Sequence, residues 1–426
     1  MKQNFLGESS MRLHTLLALG SAAAALAAAP LMADGHEGHA AKAEAMPMAH
    51  DGHARHPHHH DGHVPVYAED LLGLYYDKLE SRIDLPVAPP NVSLAPETVL
   101  TRIAFGSCNH QLRSQDHWAT IAASDPDLFL FIGDNNYGDQ NWAGDAMLTT
   151  LREAYGVQSA TPELAAFRAR VPMMVTWDDH DYGFNDGGAS FAFRTFAETI
   201  YETFWDASDE VRSRPGVYEA RMFGPEGQRT QIIMLDTRFF RSDLDRMDYT
   251  PQRPPLGPYV PSDDESKTML GEEQWRWLEA ELAKPADLRI LVSSIQVITD
   301  AHDYESWEAL PHERARLYEM LANRAESGLV MLSGDRHAGG IYTDATPETK
   351  GEHLWELTSS SLNYSFSSTE RNTAREPDPK RLSDFISEEN FGQVAIDWSA
   401  RTLTLSLLGA GDDDAGDVRV SRAISW

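Results

Sequence analysis

Five short apolar runs, at 102–105, 128–132, 172–176, 288–292 and 329–332, constrain this 426-residue chain more than any other feature. A run of four or five such residues bounded by turn signals is too short for a helix and predicts a strand buried on both faces. A sixth run, at 231–235, reads the same way. Between them, segments of helical period cover 189–205, 271–283 and 311–324, the second with Trp275, Leu278 and Leu282 on one face. Buried strands alternating with helices predict an α/β domain whose ligands gather at the carboxyl ends of the strands. Residues 394–398 and 402–408, joined by Ser399, Ala400 and Arg401, predict an antiparallel hairpin that closes one sheet.

The residues just beyond each strand carry the chemistry. The first strand leads into Gly106-Ser107-Cys108-Asn109, the second into Gly133-Asp134-Asn135-Asn136-Tyr137, and the third into Trp177-Asp178-Asp179-His180-Asp181. After 288–292 comes Ser293-Ser294-Ile295-Gln296, and after 329–332 comes Ser333-Gly334-Asp335-Arg336-His337. Five strand ends thus bring a thiol, carboxylates, a phenol, an amide and two imidazoles to one edge. Singly, each has a bland reading: a lone cysteine is usually a small buried hydrophobe, Tyr137 a core tyrosine, and Asp178 to Asp181 an acidic turn. Their repeated placement at strand ends argues for a site. Phosphate esters repel anionic nucleophiles, and two cations that neutralise the phosphoryl oxygens and ionise a bridging water answer that problem, with Asp134 as the natural bridging carboxylate.

Composition narrows the partners. With 66 acidic residues against 36 basic ones the formal net charge is -30, which argues against nucleic acid as a partner because such surfaces need clustered Lys and Arg. A small anionic substrate then needs a local positive centre, and bound metal supplies one. Cys108 is the sole cysteine, so an intramolecular disulfide is impossible. Near the N-terminus, Lys2 and Arg12 precede an apolar run at 13–29, and small residues continue up to Ala33. Residues 1–33 therefore read as a cleaved signal peptide, with a periplasmic or secreted location and no stable membrane span after cleavage. Residues 34–66 hold nine of the 17 histidines and read as a disordered linker with weak affinity for borderline metals. Residues 67–100 read as a lead-in segment and 101–426 as the catalytic domain.

The motifs Gly133-Asp134-x-x-Tyr137, Asp179-His180 and Gly334-Asp335-x-His337 resemble those of the calcineurin-like metallophosphoesterase superfamily. Within it, Phe105 to Cys108, Trp177 to Asp181 and Ser333 to His337 resemble the alkaline phosphatase D (PhoD-like) family, the match running in motif order over roughly 101–365. The resemblance implies a four-layer αββα sandwich, two mixed sheets flanked by helices, an extracytoplasmic location and an iron plus calcium centre. It implies an Fe³⁺ site of Cys108, Asp134, Tyr137 and His337. The second site would take Asp134, Asp179 and Asp335, with Gln296 where many relatives have histidine. Ligand chemistry agrees: thiolate, phenolate and imidazole suit a transition metal, while an all-oxygen shell suits Ca²⁺, Mg²⁺ or Mn²⁺. His180 resembles the family's catalytic histidine, placed to bind the phosphoryl group or protonate the leaving oxygen. Asn185 and Arg336 are further candidates for phosphate contacts, whereas Arg238 reads first as a buried ion pair.

The expected function is hydrolysis of a small-molecule phosphate ester, mono- or diester, by a metal-bridging hydroxide. The alternative is a non-catalytic extracytoplasmic metal-binding protein that works through the histidine-rich tail. Substrate choice is expected to reside in 241–266 and in the loop after Ser359.

Overall fold

Two six-stranded mixed sheets face each other across one apolar layer. The computed structural model describes residues 68–248, 256–324, 328–411 and 413–426. The expected signal peptide at 1–33 and histidine-rich linker at 34–66 lie outside the described residues. The first sheet runs β14 (Val418–Ser425), β13 (Thr402–Gly409), β12 (Asn390–Asp397), β1 (Arg102–Gly106), β2 (Leu128–Ile132) and β3 (Met173–Thr176). The second runs β10 (Gly340–Asp344), β11 (Leu354–Thr358), β9 (Gly328–Ser333), β8 (Leu288–Val292), β5 (Thr230–Met234) and β4 (Glu219–Phe223). A two-stranded ribbon, β6 (Asp245–Arg246) with β7 (Tyr259–Val260), stands apart from both.

All five strands predicted from the principal apolar runs are present, and each lies in a parallel pairing: β1 with β2 and β2 with β3 in one sheet, β5 with β8 and β8 with β9 in the other. Parallel strands covered on both faces need apolar residues at every position, which is why their sequences show no alternation. Alternation still sorts the side chains. Ile103 and Phe105 of β1 point into the layer between the sheets with Ile290, Val292, Val330 and Leu332, while Ala104 joins Phe129 and Phe131 under the helices. Those helices are His117–Ala123, Thr149–Ser159, Pro162–Arg168 and Arg194–Trp205, which contribute Trp118, Tyr155, Phe167 and Phe204. On the far side, Leu278 and Leu317 of helices Gly271–Leu282 and Pro311–Ala322 cover Ile233, Leu291 and Met331. Helix, sheet, sheet, helix is the four-layer sandwich expected.

Boundaries differ where tertiary pairing overrides local pattern. The hairpin β12–β13 forms around Arg401, whose φ is 50°, but its first strand begins at Asn390 because Phe391 and Gly392 pair with Leu408 and Leu407. The helix expected from residue 189 starts at Arg194, after turns at 188–193. Helix Ala68–Glu80 and strand β14 were not expected, although Leu72, Tyr76 and Leu79 of the helix recur at helical spacing and face the core.

Gly392 lies opposite Phe105 in the β1–β12 pair. A Cβ added at Gly392 would stand 2.1 Å from Cε1 of Phe105, inside the ring's contact surface. Phe105 is fully buried and has no room to retreat. Gly392→Ala is therefore expected to lower stability by about 1–3 kcal/mol, the usual cost of overpacking. Urea unfolding of the two proteins checks this, and equal midpoints would contradict the packing described.

Candidate metal centre

Three of the five functional strand ends, those of β1, β2 and β9, place residues other than glycine in the left-handed region. Cys108 has φ 58°, Asp134 49°, Asp335 69° and His337 51°. Non-glycine residues rarely occupy the left-handed region, and holding one there costs on the order of 1 kcal/mol or more. Here four such residues converge, so side-chain placement, not backbone comfort, fixes these positions. Gly133, with φ 112°, lets β2 pass within reach of Asp178, whose Cβ would lie 2.6 Å from any Cβ at that position.

The third strand end explains its own sequence. Asp178 caps the one-turn helix Asp179–Tyr182, and Oδ1 of Asp181 accepts the Asp178 amide at 2.7 Å, closing a reciprocal capping box. The same Oδ1 accepts the Asp134 amide at 3.1 Å, while Oδ2 takes Nδ2 of Asn135 at 2.5 Å. Asp178 and Asp181 are thus the clamp, and Asp179 and His180 the residues it presents.

Asp134 is shared by two clusters that match the expected sites and by a third, overlapping one with Asp179 and His180. In the first, one ligand atom each from Cys108, Asp134 and His337 lies within 4.8 Å of the others. The thiol of Cys108 sits 3.2 Å from Oδ2 of Asp134 and 3.1 Å from the Ser360 hydroxyl. The Tyr137 hydroxyl is 3.4 Å from both Oδ2 of Asp134 and Nε2 of His337. Nδ1 of His337 donates to the Tyr364 carbonyl at 2.5 Å, which fixes the tautomer and leaves the Nε2 lone pair facing the cluster. Burial, then Asp134, pushes the Cys108 thiol well above its ordinary pKa. Burial, then Cys108 and Asp134, does the same to the Tyr137 phenol.

The second cluster joins Asp134, Asp178, Asp179 and Asp335, again with ligand atoms within 4.8 Å. Four carboxylates this close repel, and burial with their mutual charge raises Asp335 and Asp134 well above the carboxylate range. Burial also opposes ionisation of Asp179, but His180 and Arg238 together outweigh it and hold that carboxyl low. Arg238, fully buried, donates through Nε to Asp178 at 2.6 Å and pairs through Nη1 with Glu305 at 2.6 Å. It is the buried ion pair that the sequence suggested. Yet Asp178 Oδ2 and Asp179 Oδ1 are buried with no hydrogen-bond partner. Unpartnered carboxylate oxygens beside raised carboxyls are a donor set that a cation would satisfy, so these residues fit a hard metal ion.

Above the clusters opens a cleft of about 520 Å³, with Tyr137, Asp179, His180, Asn185, Asp335, Arg336 and His337 in its wall. Nδ1 of His180 donates to Asp139 at 2.7 Å, and its ring lies against Tyr137 with centroids 4.2 Å apart. Burial would lower the His180 pKa, but in the metal-free protein Asp179, Asp134 and Asp139 together raise it well above the usual value. Arg336 reaches the cleft while pairing with Glu376 at 2.6 Å.

Of the residues expected at the site, Gln296 is the one not brought in. Its carbonyl oxygen, the atom able to ligate, accepts from Nε2 of His302 at 3.1 Å, and its amide donates to Thr358 at 3.0 Å. Conversely, Asp139, Glu305, Ser360 and Tyr364 were not singled out from the sequence. Asp139 lies two residues past Tyr137, and the serine run at 359–361 comes directly after β11, which were the available signals.

A family model described as PhoD-like phosphatase matches residues 103–186 and 211–407. The two stretches take in all five strand ends. The chain belongs to the PhoD-like phosphatase family. Alkaline phosphatase D of Bacillus subtilis (strain 168) is 24% identical over 319 residues, which cover 66% of this chain and 53% of that protein. The chain thus spans about half the length of the curated relative it matches. A solved structure described as "Structure of PhoD" aligns with TM-score 0.59 and 20% identity, covering 80% of this chain and 71% of that one. This likeness bears on the fold, which is that of a PhoD-like metallophosphatase.

The electrostatic reading is testable on Asp186, whose Oδ2 accepts the Tyr259 hydroxyl at 2.6 Å. Burial first, then Glu305 and Asp179, raises its carboxyl from 3.8 to about 7. Between those values the unfolded chain ionises while the folded one keeps its proton, so this group's contribution to stability is lost as pH rises through about 7. Asp186→Asn has no such titration and keeps an acceptor oxygen. In metal-free buffer the variant is expected to gain stability relative to wild type between about pH 5 and pH 8. Urea unfolding at the two pH values reads the difference, and a constant offset would contradict the burial of charge described.

Proposed function

We propose that the chain is a metal-dependent phosphoester hydrolase, with Fe³⁺ held by Cys108, Asp134, Tyr137 and His337 and a harder ion, Ca²⁺ or else Mg²⁺ or Mn²⁺, by Asp134, Asp179 and Asp335. The single observation that carries this reading is the sharing of Asp134 by two chemically unlike clusters beneath one cleft. One cluster offers sulfur, phenol and imidazole, the donors that favour a transition metal; the other offers carboxylate oxygens alone. When bound, such a pair of cations neutralises phosphoryl oxygens and acidifies water.

The chain's own residues supply the rest. His180, held by Asp139 through Nδ1, presents Nε2 as the atom that, when it bears a proton, donates to the oxygen of the departing alcohol. Arg336 and Asn185, in the cleft wall, are the proposed contacts to the ester. Tyr259 of the ribbon β6–β7 and Tyr364 and Phe366 of the loop after Ser359 also line the cleft, which supports assigning substrate choice to those segments. A purely metal-binding protein has no use for a cleft histidine braced by a carboxylate, and this favours catalysis over the alternative. Location outside the cytoplasm belongs to the same proposal and rests on residues 1–33; among the described residues no helix is long and apolar enough to cross a membrane.

The test is hydrolysis of 4-nitrophenyl phosphate, its bis ester and an alkyl phosphate with a poor leaving group by wild type and His180→Ala, with metal analysis of the same samples. On the alkyl phosphate the variant is expected to keep its metals while kcat falls by about 10²-fold or more, the scale of losing a general acid. Unchanged kcat on an ester with a poor leaving group would remove His180 from the role, and a wild type inactive on both esters with metals bound would overturn the reading.

A further inference from the structure

The cleft wall holds two cations that the reaction proposed above does not use. Arg371 and Arg375 lie one turn apart on helix Thr369–Arg375, which has no buried residue, and both line the cleft. Neither has a carboxylate partner among the described residues. Arg375 donates to the Tyr304 hydroxyl at 3.2 Å, and Arg371 is tied only through its backbone amide, to the Ser368 side chain. The other arginines round the cleft do find a carboxylate: Arg336 pairs with Glu376, and Arg238 and Arg241 both pair with Glu305. Beside the two arginines stands Phe366, 65% exposed, its ring 4.1 Å from that of His337. A path therefore leads from the metal-ligand candidates, past an apolar ring, to two unneutralised charges at the mouth.

We propose that Arg371 and Arg375 form a second anion-recognition point, selecting phosphate esters that carry a further anionic group beyond the scissile phosphate. This deepens the hydrolase reading and rests on it. The protein's strong negative charge repels such a substrate at long range, and a local pair of guanidinium groups is the means of drawing it in and orienting it. An uncharged far end would gain nothing from them. The substrate class is thus a bisphosphate, or an ester whose alcohol bears a carboxylate or a second phosphate.

The experiment uses the full chain with metals supplied and compares n-alkyl phosphates with alkane-1,n-diyl bisphosphates of about two to about eight carbons, rates being counted per phosphate. Wild type is expected to favour the bisphosphate in kcat/KM by about tenfold at one or more lengths, the scale of one charge-assisted hydrogen bond. Raising the salt concentration should erode that preference, because both arginines are solvent-exposed. In Arg371→Gln/Arg375→Gln the preference should vanish while alkyl phosphate turnover stays within about twofold. Equal rates for the two series in wild type, a preference that survives the double substitution, or an equal loss on both series would each overturn this inference and leave the hydrolase standing. A wild type that turns over neither series would overturn the hydrolase reading, and this inference with it.

Discussion

Buried carboxylates that repel one another set the terms for the rest of this molecule. Asp134, Asp178 and Asp179, all buried, and the half-buried Asp335 are crowded at the carboxyl ends of strands from two different sheets, where water screens them poorly. One guanidinium, Arg238, answers part of that charge from within, and backbone and side-chain amides at Asp181 brace the turn that presents it. Isolated charges in such a place cost several kcal/mol each, so the arrangement persists only if something offsets them. The layered fold, the positive-φ turns and the capping box all serve to hold ligand atoms against this repulsion. A bound cation would turn the repulsion into coordination.

The two-sheet architecture explains why the cluster forms at the seam. Strands β1 to β3 end at Cys108, Asp134 and Asp179 from one sheet, and β9 ends at Asp335 and His337 from the other. Neither sheet alone supplies every residue of either cluster. Packing of the layer containing Phe105, Ile290 and Leu332 sets the distance between the two sheets. Core packing and the proposed chemistry are therefore one constraint, since sliding one sheet over the other would part Cys108 from His337.

Much of this was legible in the sequence because burial on both faces writes strands as short unbroken apolar runs, and the residues just beyond them fall at one edge. That is why Cys108, Asp134, Tyr137, Asp179, Asp335 and His337 were read together. Residues reaching the cleft from irregular loops had no such signature: Glu305 and Tyr364 sit in stretches without periodicity, and Asp139 is visible only through its bond to His180. Strand β11 buries Glu356, whose carboxylate accepts the amides of Val297 and Ile298, so a polar residue interrupts its apolar run. Gln296 follows β8 as expected, but the bond its oxygen accepts from His302, six residues on, has no signature in the sequence.

The central claim is that one shared carboxylate, Asp134, joins two unlike cation sites. Crystals of the protein grown with iron and calcium, with anomalous diffraction collected on both sides of the iron edge, test it most directly. The expected result is an iron peak bounded by Cys108, Asp134, Tyr137 and His337, and a second, non-iron peak bounded by Asp134, Asp179 and Asp335. A fully loaded crystal with no peak touching Asp134, or with the same metal in identical all-oxygen surroundings at both positions, would contradict it.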